Sequence, residues 1–222
     1  MQILINPFNY ICKMNSEYQV AEKLLQANAV KLNVEIPYTW ASGWKSPIYC
    51  DNRKLLSIPV TRDFIKSEMS AVIFEQFPDI DAIAGVATAG IAWGALVADQ
   101  LKYPFLYVRP KPKEHGLGNQ IEGEVPLGSK VLVVEDLIST GKSSLEVCNV
   151  LKNAGLEVSG MIAIFTYGFN EAKEAFANAN IRLVTLSNYE TLVAIAEEKG
   201  IVKEDQKNSL LQWRAEPSNW GK

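Results

Sequence analysis

The chain has 222 residues and a formal net charge of −3, with 48% hydrophobic and 21% charged residues. These values are ordinary for an enzyme-sized chain with a buried core, and the weak negative charge gives no electrostatic reason to expect nucleic acid as a partner. The cysteines stand far apart, so neither a zinc site nor a disulfide framework is indicated. No apolar run of roughly 18 residues and no signal-peptide pattern occurs, and we therefore expect a cytoplasmic protein without a membrane partner.

The first part of the chain predicts a helix followed by short extended segments. Ser16 and Gln19 have the spacing of a capping box, which predicts a helix that begins there. The segments 36–40 and 48–50 flank a polar turn and predict a hairpin. Thr61 is placed to cap the next helix, because apolar residues follow it along one helical side.

Later residues alternate between continuous apolar runs and amphipathic segments. The apolar runs predict strands at 82–87, 105–109, 131–135, 161–167 and 182–186. The segments after them predict helices, for example AGIAWGALVADQL at 89–101 and YETLVAIAEEK at 189–199. Apolar strands separated by helices are typical of a mostly parallel sheet flanked by helices, so we expect an α/β fold. In such a sheet, ligands bind at the carboxyl ends of the strands.

The stretch VLVVEDLISTGKSS, residues 131–144, contains the densest functional signal. Its Gly141-Lys142-Ser143 resembles the end of a P-loop, but Asp136 stands where that motif needs its first glycine, so the P-loop interpretation fails. The predicted helix start after the turn offers free N–H groups and a partial positive charge, which suit a phosphate dianion. Glu135 and Asp136 beside this cradle suit neighbouring hydroxyls. Ribose 5-phosphate has both groups.

The two acids have two other interpretations. In the first interpretation, Asp136 only caps the helix and Glu135 is exposed to solvent. Two acids next to a hydroxyl-rich turn favour a binding site over this interpretation. In the second, VLVVED opens a receiver domain, where the motif begins the chain; here about 130 residues precede it. The sequence therefore favours a sugar-phosphate site at this turn.

The segment 110–128 carries three prolines and four glycines without a sustained period. Loops of this length inside compact domains are usually functional lids or disordered, and a lid would keep water from a reactive cation, so we expect a lid. A solvated charge run is the less favoured interpretation. The predicted lid contains His115, the only histidine of the chain.

Three motifs resemble one enzyme family. VLVVEDLISTGKSS resembles the signature of the type I phosphoribosyltransferases: four apolar residues, two acids, two apolar residues and a small hydroxyl-rich loop. WASGWKSPIYCDNR at 40–53 resembles the amino-terminal segment of orotate phosphoribosyltransferases, and YVRPKPKEHG at 107–116 resembles their flexible catalytic loop. Because the motifs follow the family's order over residues 15–215, the chain is identified as a member of that family.

The resemblance implies an activity and an organisation. Members transfer ribose 5-phosphate from phosphoribosyl pyrophosphate (PRPP) to N1 of orotate with Mg²⁺, giving orotidine 5′-monophosphate and pyrophosphate, a step of UMP biosynthesis. A small N-terminal hood at 1–60 would hold a helix and the base-pocket segment. Residues 61–222 would form the PRPP-binding core with the flexible catalytic loop 110–128. The resemblance further implies a homodimer whose loop reaches the neighbouring site.

The resemblance also assigns roles to individual residues. Lys113, His115 and Asp136 are the implied catalytic residues, and Ser139 is the implied contact to orotate. No protein ligand for a metal is implied. The implied PRPP-binding set is Arg109, Lys113, His115, Glu135, Asp136, Leu137, Ile138, Ser139, Thr140, Gly141, Lys142 and Ser143. In the family, the turn at 85–94 approaches pyrophosphate through its backbone; ordinary strand–helix packing is the other interpretation.

The sequence departs from some members of the family at three cationic positions. Ala41, Ala89 and Pro110 stand where those members carry lysine or a second cation, so the sequence does not identify the group that binds the orotate carboxylate. Lys142 is unusual in a loop of small residues. Two alternative functions remain. A phosphoribosyltransferase for another base would not need the segment at 40–53. A PRPP-sensing regulator that binds nucleic acid is disfavoured by the net charge of −3 and by the intact cations of the loop.

Overall fold

The computed structural model describes residues 7–40, 42–111 and 120–221, with side chains from Ser16 onward. These residues form two compact units. One comprises the chain up to Ile58 together with the chain from Leu186, and the other is Pro59–Thr185. None of the described helices is long and apolar enough to cross a membrane.

Helices and strands alternate through most of the described chain. The α-helices are α1 (Pro7–Gln26), α2 (Pro59–Gln76), α3 (Ala89–Leu101), α4 (Lys142–Asn153), α5 (Asn170–Asn178), α6 (Tyr189–Glu198) and α7 (Glu204–Ala215), and a 3₁₀-helix spans Asn52–Ser57. The strands are β1 (Val30–Leu32), β2 (Tyr38–Thr39), β3 (Lys45–Ser46), β4 (Ile48–Cys50), β5 (Ala82–Val86), β6 (Phe105–Val108), β7 (Ile121–Glu122), β8 (Lys130–Ile138), β9 (Glu157–Thr166) and β10 (Leu183–Asn188).

The first helix begins earlier than the capping box predicted. α1 begins at Pro7, and Ser16 lies inside it, so the predicted start is wrong. Proline suits the first helical position because its missing N–H would be unbonded there in any case. The same reason applies to α2, which begins at Pro59 and not at a Thr61 cap.

The predicted hairpin is confirmed in part. β2 pairs antiparallel with β3, with Tyr38 opposite Ser46. β4, however, pairs with β1, a strand that the sequence pattern did not indicate. The unit that holds these strands also contains α7, whose Trp213 is fully buried and donates from Nε1 to the Lys45 carbonyl oxygen at 3.2 Å.

The largest sheet has six strands in the order β10-β9-β8-β5-β6-β7, and all of them except the last part of β10 belong to Pro59–Thr185. β5 is parallel to β6 and β8, and β8 is parallel to β9, which confirms a mostly parallel sheet. β7 is antiparallel to β6, with Tyr107 opposite Glu122. It lies inside the segment 110–128, which is therefore not irregular throughout.

The central strands are buried on both faces, as expected when helices cover a parallel sheet. All five residues of β5 are buried, and so are Val131–Glu135 of β8. Val131 and Val133 share a core cluster with α4 residues such as Val147 and Leu151. Trp93 of α3 is fully buried as well, and it is the one tryptophan between residues 59 and 185.

Candidate functional site

The two acids lie near the carboxyl end of the central strand β8. The strand continues beyond Glu135 to Ile138, since Leu137 and Ile138 still pair with β9, so the predicted end at Glu135 is wrong. Three residues, 139–141, then connect the strand to α4. The acids and a helix start consequently meet at the sheet edge where parallel folds bind ligands.

Glu135 is buried and hydrogen-bonded. Its side chain is 7% exposed; Oε1 accepts the backbone N–H of Asp136 at 2.9 Å, and Oε2 accepts the hydroxyl of Ser144 at 3.2 Å. Burial raises the pKa of this carboxyl well above its usual range, and the neighbouring Asp136 charge raises it further. The interpretation of Glu135 as solvated is therefore wrong. Asp136 itself is half-buried.

The turn after β8 presents a helix start that has no side-chain cap. Gly141 occupies the N-cap position of α4 with φ +78°, so no side chain of that residue bonds the first N–H groups. A Cβ at Gly141 would lie 2.6 Å from Cε2 of Phe176, which closes off the back of the turn. Ser139 and Thr140 are half-buried, whereas Lys142 and Ser143 are exposed. Free N–H groups and hydroxyls at such a helix start can bind a phosphate.

A second uncapped helix start lies beside the acids. α3 follows β5 with Thr88 at the N-cap position, and the Thr88 side chain makes no capping bond; the Ala87–Thr88 peptide bond is cis. A Cβ at Gly90 would collide with the Val134 carbonyl oxygen and lie 3.4 Å from Cα of Glu135. This turn thus packs directly on β8. By contrast, Asn188 caps α6 by accepting the Thr191 N–H at 3.1 Å.

Arg109 lies at the end of β6, at the base of the β6–β7 hairpin. Its guanidinium forms an ion pair with Glu122, with an Nη1–Oε1 distance of 3.7 Å. Its backbone N–H donates to the Gln120 carbonyl oxygen at 2.9 Å, and Gln120 Nε2 donates to the Arg109 carbonyl oxygen at 2.8 Å. Arg109 therefore fixes one end of the predicted lid. Its predicted role toward pyrophosphate stays a prediction.

The other predicted residues divide into three groups. Lys113, His115 and the departure at Ala41 lie outside the described residues. Ile138 is fully buried and its carbonyl oxygen accepts from the Tyr167 N–H at 3.1 Å, so its side chain faces the core. Leu137 is half-buried within β8. The structure therefore brings Glu135, Asp136 and 139–143 together at one turn.

Two residues at this turn were missed by sequence reasoning. Ser144 contacts Glu135, and its signal was available: it is a polar residue at the start of a buried stripe of α4. Phe176 lies behind Gly141 through tertiary packing, for which no local signal exists. Within the described ranges, no group of three or more His, Cys, Asp or Glu side chains is arranged to hold a metal ion.

Two acids near the carboxyl end of a parallel strand, beside two helix starts without a side-chain cap, form a site that suits a sugar phosphate. The family model for the phosphoribosyl transferase domain matches residues 64–187, more than half of the chain, and the chain belongs to that family. An orotate phosphoribosyltransferase of Bacteroides thetaiotaomicron is 55% identical over 206 residues, covering 93% of this chain and 97% of that protein. The resemblance to orotate phosphoribosyltransferases found in the sequence is thereby confirmed.

Further comparisons also match orotate phosphoribosyltransferases. An orotate phosphoribosyltransferase of Cytophaga hutchinsonii is 51% identical over 209 residues, covering 94% of this chain and all of that protein. Among solved structures, orotate phosphoribosyltransferase from Aeropyrum pernix has a TM-score of 0.72 and 31% identity, and the match covers 83% of this chain and 99% of that one. Nearly the full length of these relatives is therefore represented in the chain.

Proposed function

We propose that the chain catalyses orotate phosphoribosyl transfer: ribose 5-phosphate moves from PRPP to N1 of orotate, and pyrophosphate leaves. The observation that carries the proposal is the carboxyl end of β8, where Glu135 and Asp136 precede the uncapped start of α4. High identity to orotate phosphoribosyltransferases over nearly the whole chain supports the same assignment. The reaction belongs to pyrimidine biosynthesis and gives orotidine 5′-monophosphate.

The proposed chemistry follows from where charge develops. Breaking the bond at C1 of the ribose ahead of bond formation places positive charge on the sugar, which nearby carboxylates stabilise. Asp136 and Glu135 bind the ribose hydroxyls in this proposal, and Asp136 acts on the developing charge. The N–H groups and hydroxyls at 139–143 bind the 5′-phosphate, with Lys142 adding positive charge. Ser139 also contacts orotate.

In this proposal the turn after β5 binds pyrophosphate through its backbone, but it has no cationic side chain to balance the charge of the leaving group. We assign this role to Arg109, Lys113 and His115, with Lys113 and His115 supplied by the neighbouring subunit of a homodimer. Mg²⁺ would be held mainly by oxygens of PRPP, because Mg²⁺ usually binds through substrate phosphates and few protein ligands, and it would supply positive charge to the leaving pyrophosphate.

The test is a comparison of nucleobases. Purified protein with PRPP and Mg²⁺ is supplied with orotate, uracil, adenine or hypoxanthine, and nucleotide and pyrophosphate are measured. We expect turnover of orotate only, and loss of turnover when a chelator removes Mg²⁺. Turnover of a purine would instead indicate another phosphoribosyltransferase, and PRPP binding without turnover of any base would indicate a regulator. Uracil lacks the carboxylate, so its rejection shows that the protein recognises that group.

A further inference from the structure

Two polar side chains occupy core-facing positions on β8 and α4. Along β8, Val131 and Val133 pack on α4, and Glu135 follows on the same face because side chains alternate in a strand. On α4 the buried residues are Ser144, Val147, Cys148 and Leu151, with the spacing of one helical stripe. Both apolar stripes therefore end in a polar residue at the ligand-binding edge of the sheet. The two polar ends contact each other.

The contact leaves Glu135 with one hydrogen-bond donor on each carboxylate oxygen. Ser144 is 2% exposed and Glu135 is 7% exposed, and their oxygens are 3.2 Å apart. The second carboxylate oxygen accepts the Asp136 N–H at 2.9 Å. Each carboxyl oxygen has two lone pairs, so an oxygen that accepts one of these bonds has a second lone pair for another donor. Glu135 is thus held in place but keeps the capacity to accept hydroxyl groups of a ligand.

We propose that Ser144 is a positioning residue for the transfer reaction: its hydroxyl fixes the Glu135 carboxylate in the orientation that accepts a ribose hydroxyl of PRPP. This inference rests on the proposed function and adds a residue to it. Ser144 belongs to the first turn of α4, as do Lys142 and Ser143 beside the phosphate-binding N–H groups. One helical turn consequently sets the positions of both the hydroxyl end and the phosphate end of the bound sugar.

The alternative is that Ser144 only satisfies a buried acid and stabilises the fold. A double-mutant cycle separates the two roles, because residues that act through one another are not additive. We expect Ser144→Ala to lower kcat/KM for PRPP about tenfold, the scale of one hydrogen bond to a charged group. In the Glu135→Gln background we expect the same substitution to cause less than about a twofold further loss. Ser144→Thr retains the hydroxyl and is expected to recover most of the activity.

Ser70 supplies a matched control. It is 3% exposed, and its hydroxyl donates to the Lys66 carbonyl oxygen at 2.8 Å within α2. Ser70→Ala also removes a buried hydroxyl bond, and we expect it to shift the melting temperature while kcat/KM stays unchanged. Every variant is checked by circular dichroism and thermal unfolding.

Two results would overturn the inference. Equal losses from Ser144→Ala in the wild-type and Glu135→Gln backgrounds would show that Ser144 acts independently of Glu135. A loss of kcat/KM in Ser70→Ala as large as in Ser144→Ala would show a general effect of destabilisation. Failure of the proposed function looks different, because the wild-type protein would then not turn over orotate with PRPP at all.

Discussion

Two neighbouring parallel strands, β5 and β8, each end in a short turn that leads into an uncapped helix at the same edge of the sheet. The turn after β5 has no charged side chain, since none occurs from residue 82 to residue 98. The end of β8 and the start of α4 carry Glu135, Asp136 and Lys142, so this segment, 135–143, is the charged turn and the one after β5 is the uncharged turn. The backbone alone can thus present N–H groups twice, whereas the side chains decide which turn can also bind sugar hydroxyls and respond to a developing cation.

The largest expected effect concerns the charged turn. Asp136→Asn keeps the shape of the side chain but removes its charge, so kcat/KM for PRPP should fall about 10²-fold or more, the scale of a single electrostatic group in a transition state. Steady-state kinetics measures this. Asp81→Asn is the control, because Asp81 Oδ2 accepts the Lys130 N–H at the opposite end of β8 and an asparagine oxygen can replace it. Unchanged kinetics in Asp136→Asn would remove this turn from the mechanism.

The second prediction tests which subunit supplies the cationic side chains that act on pyrophosphate beside the uncharged turn. Asp136→Asn and Lys113→Ala proteins, each nearly inactive alone, are mixed, unfolded and refolded. If the loop crosses a twofold dimer, about half of the dimers are heterodimers by random pairing, and each has one intact site, so activity returns to roughly a quarter of wild type. The measurement is the specific activity of the mixture.

Mass spectrometry must confirm that heterodimers form. A mixture that contains heterodimers but stays inactive would show that the loop closes over its own subunit, because every site would then keep one lesion. Refolded wild-type protein, carried through the same steps, sets the reference activity.

The third prediction concerns the packing of the uncharged turn. In Gly90→Ala the new Cβ would collide with a carbonyl oxygen of β8, which cannot move without the strand. Overpacking costs about 1–3 kcal/mol, and each kcal/mol lowers the melting temperature by about 2–4 °C in a domain of this size. Gly94→Ala meets Cε2 of the Phe105 side chain at 2.8 Å and the Gly85 Cα at 3.3 Å, a less severe backbone contact than the one at Gly90, so its loss should be smaller. Equal melting temperatures for the two variants would contradict this account.

The smallest expected effect is a pH dependence of stability at the charged turn. Because the folded-state pKa of Glu135 is raised, the stability linked to its protonated form is complete below the unfolded-state pKa and is lost as pH rises toward the folded-state pKa. Glutamine does not ionise. Thermal unfolding should therefore show that Glu135→Gln gains melting temperature over wild type at about pH 8 and much less at about pH 4. The exposed Glu157→Gln is the control, and a gain that does not vary with pH would refute the assignment.

The sequence predicted the sheet well because its strands are buried. Continuous apolar runs indicated β5, β6, β8 and β9, and the helix predicted at 89–101 matches α3 (Ala89–Leu101). α7 was missed because its sequence is mostly polar, with Leu210 and Trp213 as its buried residues. β7 has only two residues, too few for a period to appear. The formation of α7 and of β7 depends on contacts with distant parts of the chain.

The site was predictable to the extent that it is local. Glu135, Asp136 and the turn to Ser143 are continuous in sequence, and strand-then-helix periodicity placed them at one sheet edge. The inward direction of Glu135 was not predicted, because burial of an acid depends on a partner nine residues later in the chain. The packing of Phe176 on Gly141 joins two helices and depends on the folded arrangement.

The distribution of tryptophans makes the uncharged turn observable by spectroscopy. Trp93 lies one turn into α3 and is buried, whereas Trp40, Trp44, Trp213 and Trp220 belong to the other compact unit. Biosynthetic labelling with fluorotryptophan would therefore give one ¹⁹F resonance from Pro59–Thr185 and four from the remainder. The single line reports on the helix that begins at this turn, and the four others provide an internal reference within the same molecule.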